Sequence, residues 1–397
     1  MNLKSLSWRL LCAVLAAGAV LGVDLAQRPL APAAAGAVGP VVPPSFSVDH
    51  LVQAGRGAIP MPADAPAAHA STLLPMPASH PAALTVFWFS GERESGPNVQ
   101  IAASQWDRAT QQWAPARFVA NRHVLGAVLG FGVRRLGNPV AWMDGSGRIH
   151  LFVVATGWGG WAASRILHLR QSSAGNGLQE LAFAPVRVLP LSWLWNTSHL
   201  VRNAPLPLAD GGMVLPVHFE LGIKYPVALR FDSRGEFLGM ARISRRHYAL
   251  QPTLLAKTRT EWLALMRDAR PDGKVIAART QDGGRSWSDL PDLALVNPDS
   301  AVGGMALAPG HMLLAHNSSP ASRAWLDLSR SADGVAWTPV HALEHGATDD
   351  DEFSYPAMAW ADGSVWLSYT VDRQRLAWQR FSVDAAANAA APNGVKP

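Results

Sequence analysis

The chain has 397 residues, of which 49% are hydrophobic and 16% charged, with a formal net charge of +5. A composition this apolar can bury a large core, which excludes intrinsic disorder for the bulk of the chain. Past residue 30 no run approaches the ~18 apolar residues of a membrane span. No Lys/Arg block marks a nucleic-acid footprint, so a polytopic membrane protein is excluded and nucleic acid is not an expected partner.

The first element is the apolar run Leu10 to Val23, preceded by Lys4 and Arg9. Its length suits the core of a secretory signal better than a full span. Small residues at Ala33-Ala34-Ala35-Gly36-Ala37 offer a cleavage site. The alternative is an uncleaved membrane tether through residues 10–23, because Asp24-Leu25-Ala26-Gln27-Arg28 separates the apolar run from the small residues. Either way the body is expected outside the cytoplasm, periplasmic or extracellular. The single cysteine, Cys12, lies in this leader, so the remainder carries no disulfide, thiol nucleophile or Cys-ligated zinc. Residues 1–37 thus read as a leader, Pro29 to Pro44 as a Pro/Ala linker, 45–384 as one domain and 385–397 as a disordered tail.

From Ser45 onward, short runs rich in Val, Leu, Trp and Phe alternate with Gly, Asp and Pro clusters, without a 3.6-residue period of helical length. That pattern predicts an all-β fold of short antiparallel strands. Asp-Gly hairpin turns recur at Asp144-Gly145, Asp210-Gly211 and Asp362-Gly363. A second signal recurs at another phase. Thr280 to Trp287 reads [ST]-x-D-x-G-x-[ST]-W, an Asp-box, and Ser331 to Trp337 is a one-residue-shorter version. Weaker echoes mark Asp107, Ala174 and Asp232, giving intervals of 67, 58, 50 and 51 residues. A period of about 50 residues is that of a propeller blade. The expectation is a six-bladed β-propeller of four-stranded antiparallel blades, its last strand completing the first blade, and monomeric. Within the box, Asp accepts turn hydrogen bonds, Gly supplies a positive φ and Trp fills space between sheets, so Asp282 and Asp333 read as structural.

Two consecutive Asp-boxes in such a chain resemble the sialidase superfamily, in its bacterial BNR-repeat branch. The segments that carry the resemblance include His69-Ala70-Ser71-Thr72, Phe89 to Glu94, Gly137-Asn138-Pro139, Val201 to Pro205, Gln251-Pro252-Thr253, Leu265 to Asp268, His316 to Ser319 and Glu352 to Pro356. The resemblance implies a propeller that holds a sugar carboxylate with three arginines and attacks the anomeric carbon with a Glu-activated Tyr. An Asp on a loop then protonates the leaving oxygen. It places Arg267 and Arg323 as the second and third arginines, Tyr355 as the nucleophile and Arg93 at the start of the acid/base loop. It departs at three places. His69 stands for the first arginine, Asn98 for the acid/base Asp and Gln251 for the helper Glu. A planar guanidinium meets a carboxylate bidentately, whereas an amide cannot exchange a proton.

Replacement carboxylates lie nearby in sequence. Glu94 and, less so, Glu92 flank Arg93; a solvated turn is the structural alternative. Glu220 ends an apolar strand, which predicts a raised pKa and an acid/base role; pairing with Lys224 is the alternative. Glu352 is the best placed of the run Asp349-Asp350-Asp351-Glu352. His69 is read as either an anion ligand or a satisfied turn histidine. Trp158, Trp161, Trp193 and Trp195 are read as either sugar-stacking or core rings. No HExxH or paired ligand spacing, P-loop or GxSxG motif is present, so neither metal nor cofactor is expected. The function indicated is an exported glycoside hydrolase on an acidic-sugar-containing glycan or polysaccharide. A polysaccharide lyase and a non-catalytic glycan-binding propeller remain open.

Overall fold

The computed structural model describes residues 3–33, 35–39, 41–42, 47–94 and 96–383, so the tail read at 385–397 lies outside the described residues. Six antiparallel sheets make up the body. Blade one consists of Ala67–Pro75, Ala82–Gly91, Gln100–Asp107 and Gln112–Trp113, with Arg117–Ala120 also on its third strand. Blade two runs through Arg135–Met143, Ile149–Thr156, Arg165–Gln171 and Phe183–Val188. Blade three has a split first strand, His199–Val201 and Leu206–Pro207, then Met213–Leu221, Ile223–Phe231 and Phe237–Arg242. Blade four is Ala249–Ala256, Trp262–Asp268, Ile276–Thr280 and Ser288–Asp289. Blade five is Gly303–Ala308, His311–Asn317, Trp325–Ser331 and Thr338–His345.

Blade six corrects the expected closure. Its strands Phe353–Ala361, Ser364–Val371 and Arg375–Val383 are completed by Leu51–Ile59, so the first strand of the body finishes the last blade rather than the reverse. Gly55 and Gly57 in this closing strand leave room for the Trp378 ring, which a Cβ would approach at 3.1 and 3.2 Å. Trp378 in turn packs on Trp106 of blade one at 4.8 Å between ring centroids. Aromatic pairs of this geometry add to the apolar burial that holds the seam.

The sequence texture follows from how blades stack. Ala82–Gly91, Ile149–Thr156 and Ser364–Val371 are buried along their whole lengths, because each lies mid-blade between neighbouring sheets. First strands of adjacent blades touch one another and so line the axis. Chain direction alternates across each blade. All first strands therefore begin at one face of the disc, which also carries the turns between second and third strands. Both recurrent turn signals fall on the other face. The Asp-Gly hairpins join first to second strands, and the Asp-boxes join third to fourth. In the boxes, Asp282 accepts from the Ser286 N–H at 2.9 Å, and Trp287 and Trp337 donate to the Gly284 and Gly334 carbonyls at 3.1 Å.

Outside the blades, Leu3–Gln27 is helical, and an 18-residue stretch within Trp8–Gln27 has a mean hydropathy of 2.0 with only 6% of it buried. The described residues of the segment read as a linker lie along the propeller. Met240 N–H donates to the Pro29 carbonyl, Ala37 N–H to Arg259 and Val41 N–H to Leu307, and Ala37 and Val42 are buried. A short helix, Arg122–Leu129, was not foreseen from periodicity, since eight residues show barely two turns. Its N-cap Asn121 and its left-handed C-cap Gly130 are the signals that mark it.

Candidate active site

Near the start of its first strand, each blade has a non-glycine residue at positive φ: Ala70, Asn138, Ser198, Gln251, Asp299 and Tyr355. In four blades the residue falls within a register shift, between His69 and Thr72, Gly137 and Val140, Leu250 and Thr253, and Ser354 and Ala357. Bulges of this kind re-aim side chains at the cost of local strain. Here they turn the start of each inner strand toward the axis.

Blade three supplies the floor. Its inner strand breaks at Arg202-Asn203, and these side chains cross the axis. Arg202 donates to the carbonyls of Ser71 (3.1 Å) and Pro356 (3.0 Å), and Asn203 to those of Gln251 and Pro252. The guanidinium is buried, with its Cζ 5.0 Å from the centre of the Tyr355 ring. Burial brings its pKa down to about 10, with the nearby Tyr355 opposing the fall. His69 also lies against Tyr355, its ring centroid 4.2 Å away. His69 is buried and its pKa falls to about 3, burial being the main cause and Arg373, Arg202 and Arg323 adding to it, so its imidazole is neutral at pH 7.

The Tyr355 hydroxyl accepts from Gln251 Nε2 at 3.3 Å and Arg267 Nη1 at 3.4 Å. Arg267 also donates to the Asp299 carboxylate at 2.6 Å, while Arg323 donates to the Asp299 carbonyl at 2.7 Å, so the two guanidinium groups meet at one residue. Although burial works against it, the charge of Arg267 is favoured by Tyr355, Asp299 and Glu220, and its pKa lies above the ordinary value. Glu352 accepts from Arg323 (3.1 Å), Ser354 (2.6 Å) and Arg373 (2.8 Å). Burial raises its pKa, but those donors outweigh it and hold the carboxyl at about 2. Glu352 is therefore a fixed anion that positions two arginines, not a proton carrier at neutral pH. Arg373 also donates to Glu94 at 2.7 Å, and Glu94 lies 3.9 Å from His69 Nε2.

The remaining candidates are placed as follows. Glu220 pairs with His218 at 3.6 Å and stands across the hairpin from Lys224. Its pKa is lowered, first by His218 and then, against burial, by Arg267 and Lys224. The expected rise does not occur because the His218 ring, and after it the Arg267 and Lys224 cations, outweigh burial. Asn98 is exposed on the loop after Gly91, bonded to Glu92 and Arg122. Arg93 is exposed on the same loop, and no contact among the described residues joins it to Tyr355. The guanidinium found on that flank is Arg373, in the turn between Ser364–Val371 and Arg375–Val383. Sequence reasoning missed it because Asp372-Arg373-Gln374 reads as an ordinary hairpin tip. Arg202 lay inside a quoted segment, but no local pattern betrays a residue that reaches across the axis. No group of three or more His, Cys, Asp or Glu able to hold a metal ion occurs among the described residues.

A six-bladed propeller with a tyrosine and three arginines at one mouth of its axis is a sialidase-like architecture. The chain belongs to the BNR repeat-like domain family, whose pattern matches residues 82–383. It is similar in fold to a Hadza microbial sialidase (16% identity, TM-score 0.64, covering 81% of this chain and 66% of that one). A Dyadobacter fermentans protein of unknown function is also similar (12%, 0.64, 84% and 100%). So is Trypanosoma rangeli sialidase in complex with sialic acid (12%, 0.62, 89% and 61%). The chain thus spans about two thirds or less of these two sialidases. No curated protein matches it by sequence.

Proposed function

We propose that the chain is an exported glycoside hydrolase of sialidase type acting on an acidic-sugar-containing glycan. The observation that carries the reading is the convergence of Arg267 and Gln251 on the Tyr355 hydroxyl, with Arg323 and Arg373 on its flank. The arginines neutralise the sugar carboxylate, and Arg373 supplies the guanidinium absent at His69. Tyr355 loses its proton to solvent as its oxygen bonds to the anomeric carbon and the glycosidic bond breaks; water then attacks that carbon, the bond to Tyr355 breaks, and the tyrosine oxygen takes a proton back from solvent. Negative charge gathering on that oxygen meets two donors already aimed at it. Glu94, facing His69 and Arg373, is the carboxyl group assigned to protonate the leaving oxygen.

One observation favours a second reading. Among the described residues, the Tyr355 hydroxyl has no carboxylate partner, which suits elimination better than a Glu-assisted attack. A lyase would use Tyr355 as the base toward the proton beside an arginine-neutralised uronic carboxylate. Incubating the protein with a panel of acidic glycans separates the readings. A released acidic sugar with a new reducing end supports hydrolysis, and an unsaturated end supports elimination. Bound but unchanged glycan overturns both in favour of a binding propeller.

A further inference from the structure

A band of apolar side chains is exposed beside the pocket. Val124 and Val128 on the short helix are 60% and 65% exposed, Trp158 85%, Trp193 56%, Trp195 54% and Leu221 40%. Each lies on a connection into a first strand or on a turn between second and third strands, so all share the face that carries Tyr355. Trp193, Leu194, Trp195 and Leu221 line one hollow with Gly159 and Arg165, and the Arg134 guanidinium lies 4.3 Å over the Trp158 ring. A grouped apolar patch with basic neighbours is unusual for a surface that meets only water.

The occupant is indicated by a separate feature, the apolar helix. Its last turn is latched to this same patch. Asp24, 1% exposed, accepts from the Ser192 hydroxyl (2.8 Å), the Trp193 N–H (3.1 Å) and the Leu194 N–H (3.2 Å), and Arg28 closes the latch. The rest of the helix projects away, with Leu10, Val14 and Leu15 at least 60% exposed. Twenty helical residues reach about 30 Å, the thickness of a hydrocarbon core. Where this helix enters a bilayer, the loop bound to its end is necessarily at the lipid surface.

We propose that Trp8–Gln27 stays attached as a membrane anchor and that the face bearing Trp158, Trp193, Trp195 and Leu221 rests on the lipid headgroups. Indole rings favour that depth. Lys4 and Arg9 at the far end set the helix with its N-terminus in the cytoplasm and the propeller outside. Removal at the small residues 33–37 would discard the Asp24 latch and break into a segment whose Ala37 is buried against the propeller. The pocket then opens on the membrane side. If the proposed activity holds, its glycan is one presented at the bilayer, such as a lipid-borne saccharide; the membrane contact itself does not depend on that activity.

The test uses the full chain with Cys12→Ser, reconstituted in nanodiscs of phosphatidylethanolamine and phosphatidylglycerol. Trp193→Cys and, on the opposite face, Val335→Cys each carry an environment-sensitive fluorophore, with thermal melts confirming folding. Headgroup-level spin-labelled lipid should quench the probe at 193 several-fold more than that at 335, and Asp24→Ala should reduce the difference. Intact mass of the membrane-fraction protein should show residues 8–27 still present. Equal quenching at the two positions overturns the lipid contact, and a soluble chain starting near Ala37 overturns the anchor. A Trp193→Ser/Trp195→Ser variant that loses soluble-glycan binding, with the wild-type loop unquenched, assigns the patch to sugar stacking and also overturns the proposal.

Discussion

Tyr355 touches both a neutral imidazole and a buried guanidinium, at a φ of 55° that its neighbours must enforce. Tyr355→Phe keeps the ring and removes only the hydroxyl that Gln251 and Arg267 approach. Turnover of a cleavable acidic glycan should fall by a factor of ~100 or more while binding changes little; unchanged turnover would remove Tyr355 from the chemistry. Arg267→Lys keeps the charge and loses the planar fork. Calorimetry should show acidic glycans bound about 1–3 kcal/mol more weakly, with neutral analogues much less affected. What could be read of this site in advance was the part carried by local segments: Tyr355 before Pro356, Gln251 before Pro252, and Arg267 ending its strand. Arg202, Asp299 and Arg373 could not be read, because their importance arises when six distant segments meet at the axis.

Within a blade, legibility followed turn chemistry. Turns on the far face need positive φ and side-chain acceptors, so they leave Gly, Asp and Ser at a regular spacing that survives in the sequence. Connections on the pocket face obey no shared geometry, and the helix Arg122–Leu129 and the split strand of blade three passed unseen there. The same reasoning makes the Asp-box turns intolerant. Gly284 has a φ of +86°, and a Cβ on it would lie 2.7 Å from the buried Trp262 ring. Gly284→Ala combines a left-handed penalty with overpacking, so denaturant melts should show about 2 kcal/mol or more of lost stability. A change below ~0.5 kcal/mol would mean that the box is not a structural joint.

For the molecule as a whole, buried histidines set the acid limit. His69, His168 and His199 have pKa values near 3, mainly through burial, with Arg373, Arg187 and Arg28 respectively among the cations that add to it. An unfolded histidine titrates near 6.5. Below that pH the unfolded chain binds protons that the folded chain refuses, so stability declines as pH falls from about 6.5 toward 3. Melting temperature should be level above neutrality and drop steadily from pH 6.5 to 4; a flat profile over that interval would contradict the burial of neutral imidazoles. The closing strand has a kinetic counterpart. Leu51–Ile59 precedes every blade in the chain, yet its partner Arg375–Val383 lies in the last one, so until the ring closes both stand as unpaired edges. In a concentrated solution the nearest such edge often belongs to another copy, and the two can exchange strands into a swapped dimer. Refolding yield of monomer should therefore fall as protein concentration rises, with the loss recovered as dimers by size-exclusion chromatography. Concentration-independent yield would show that the ring closes faster than copies collide.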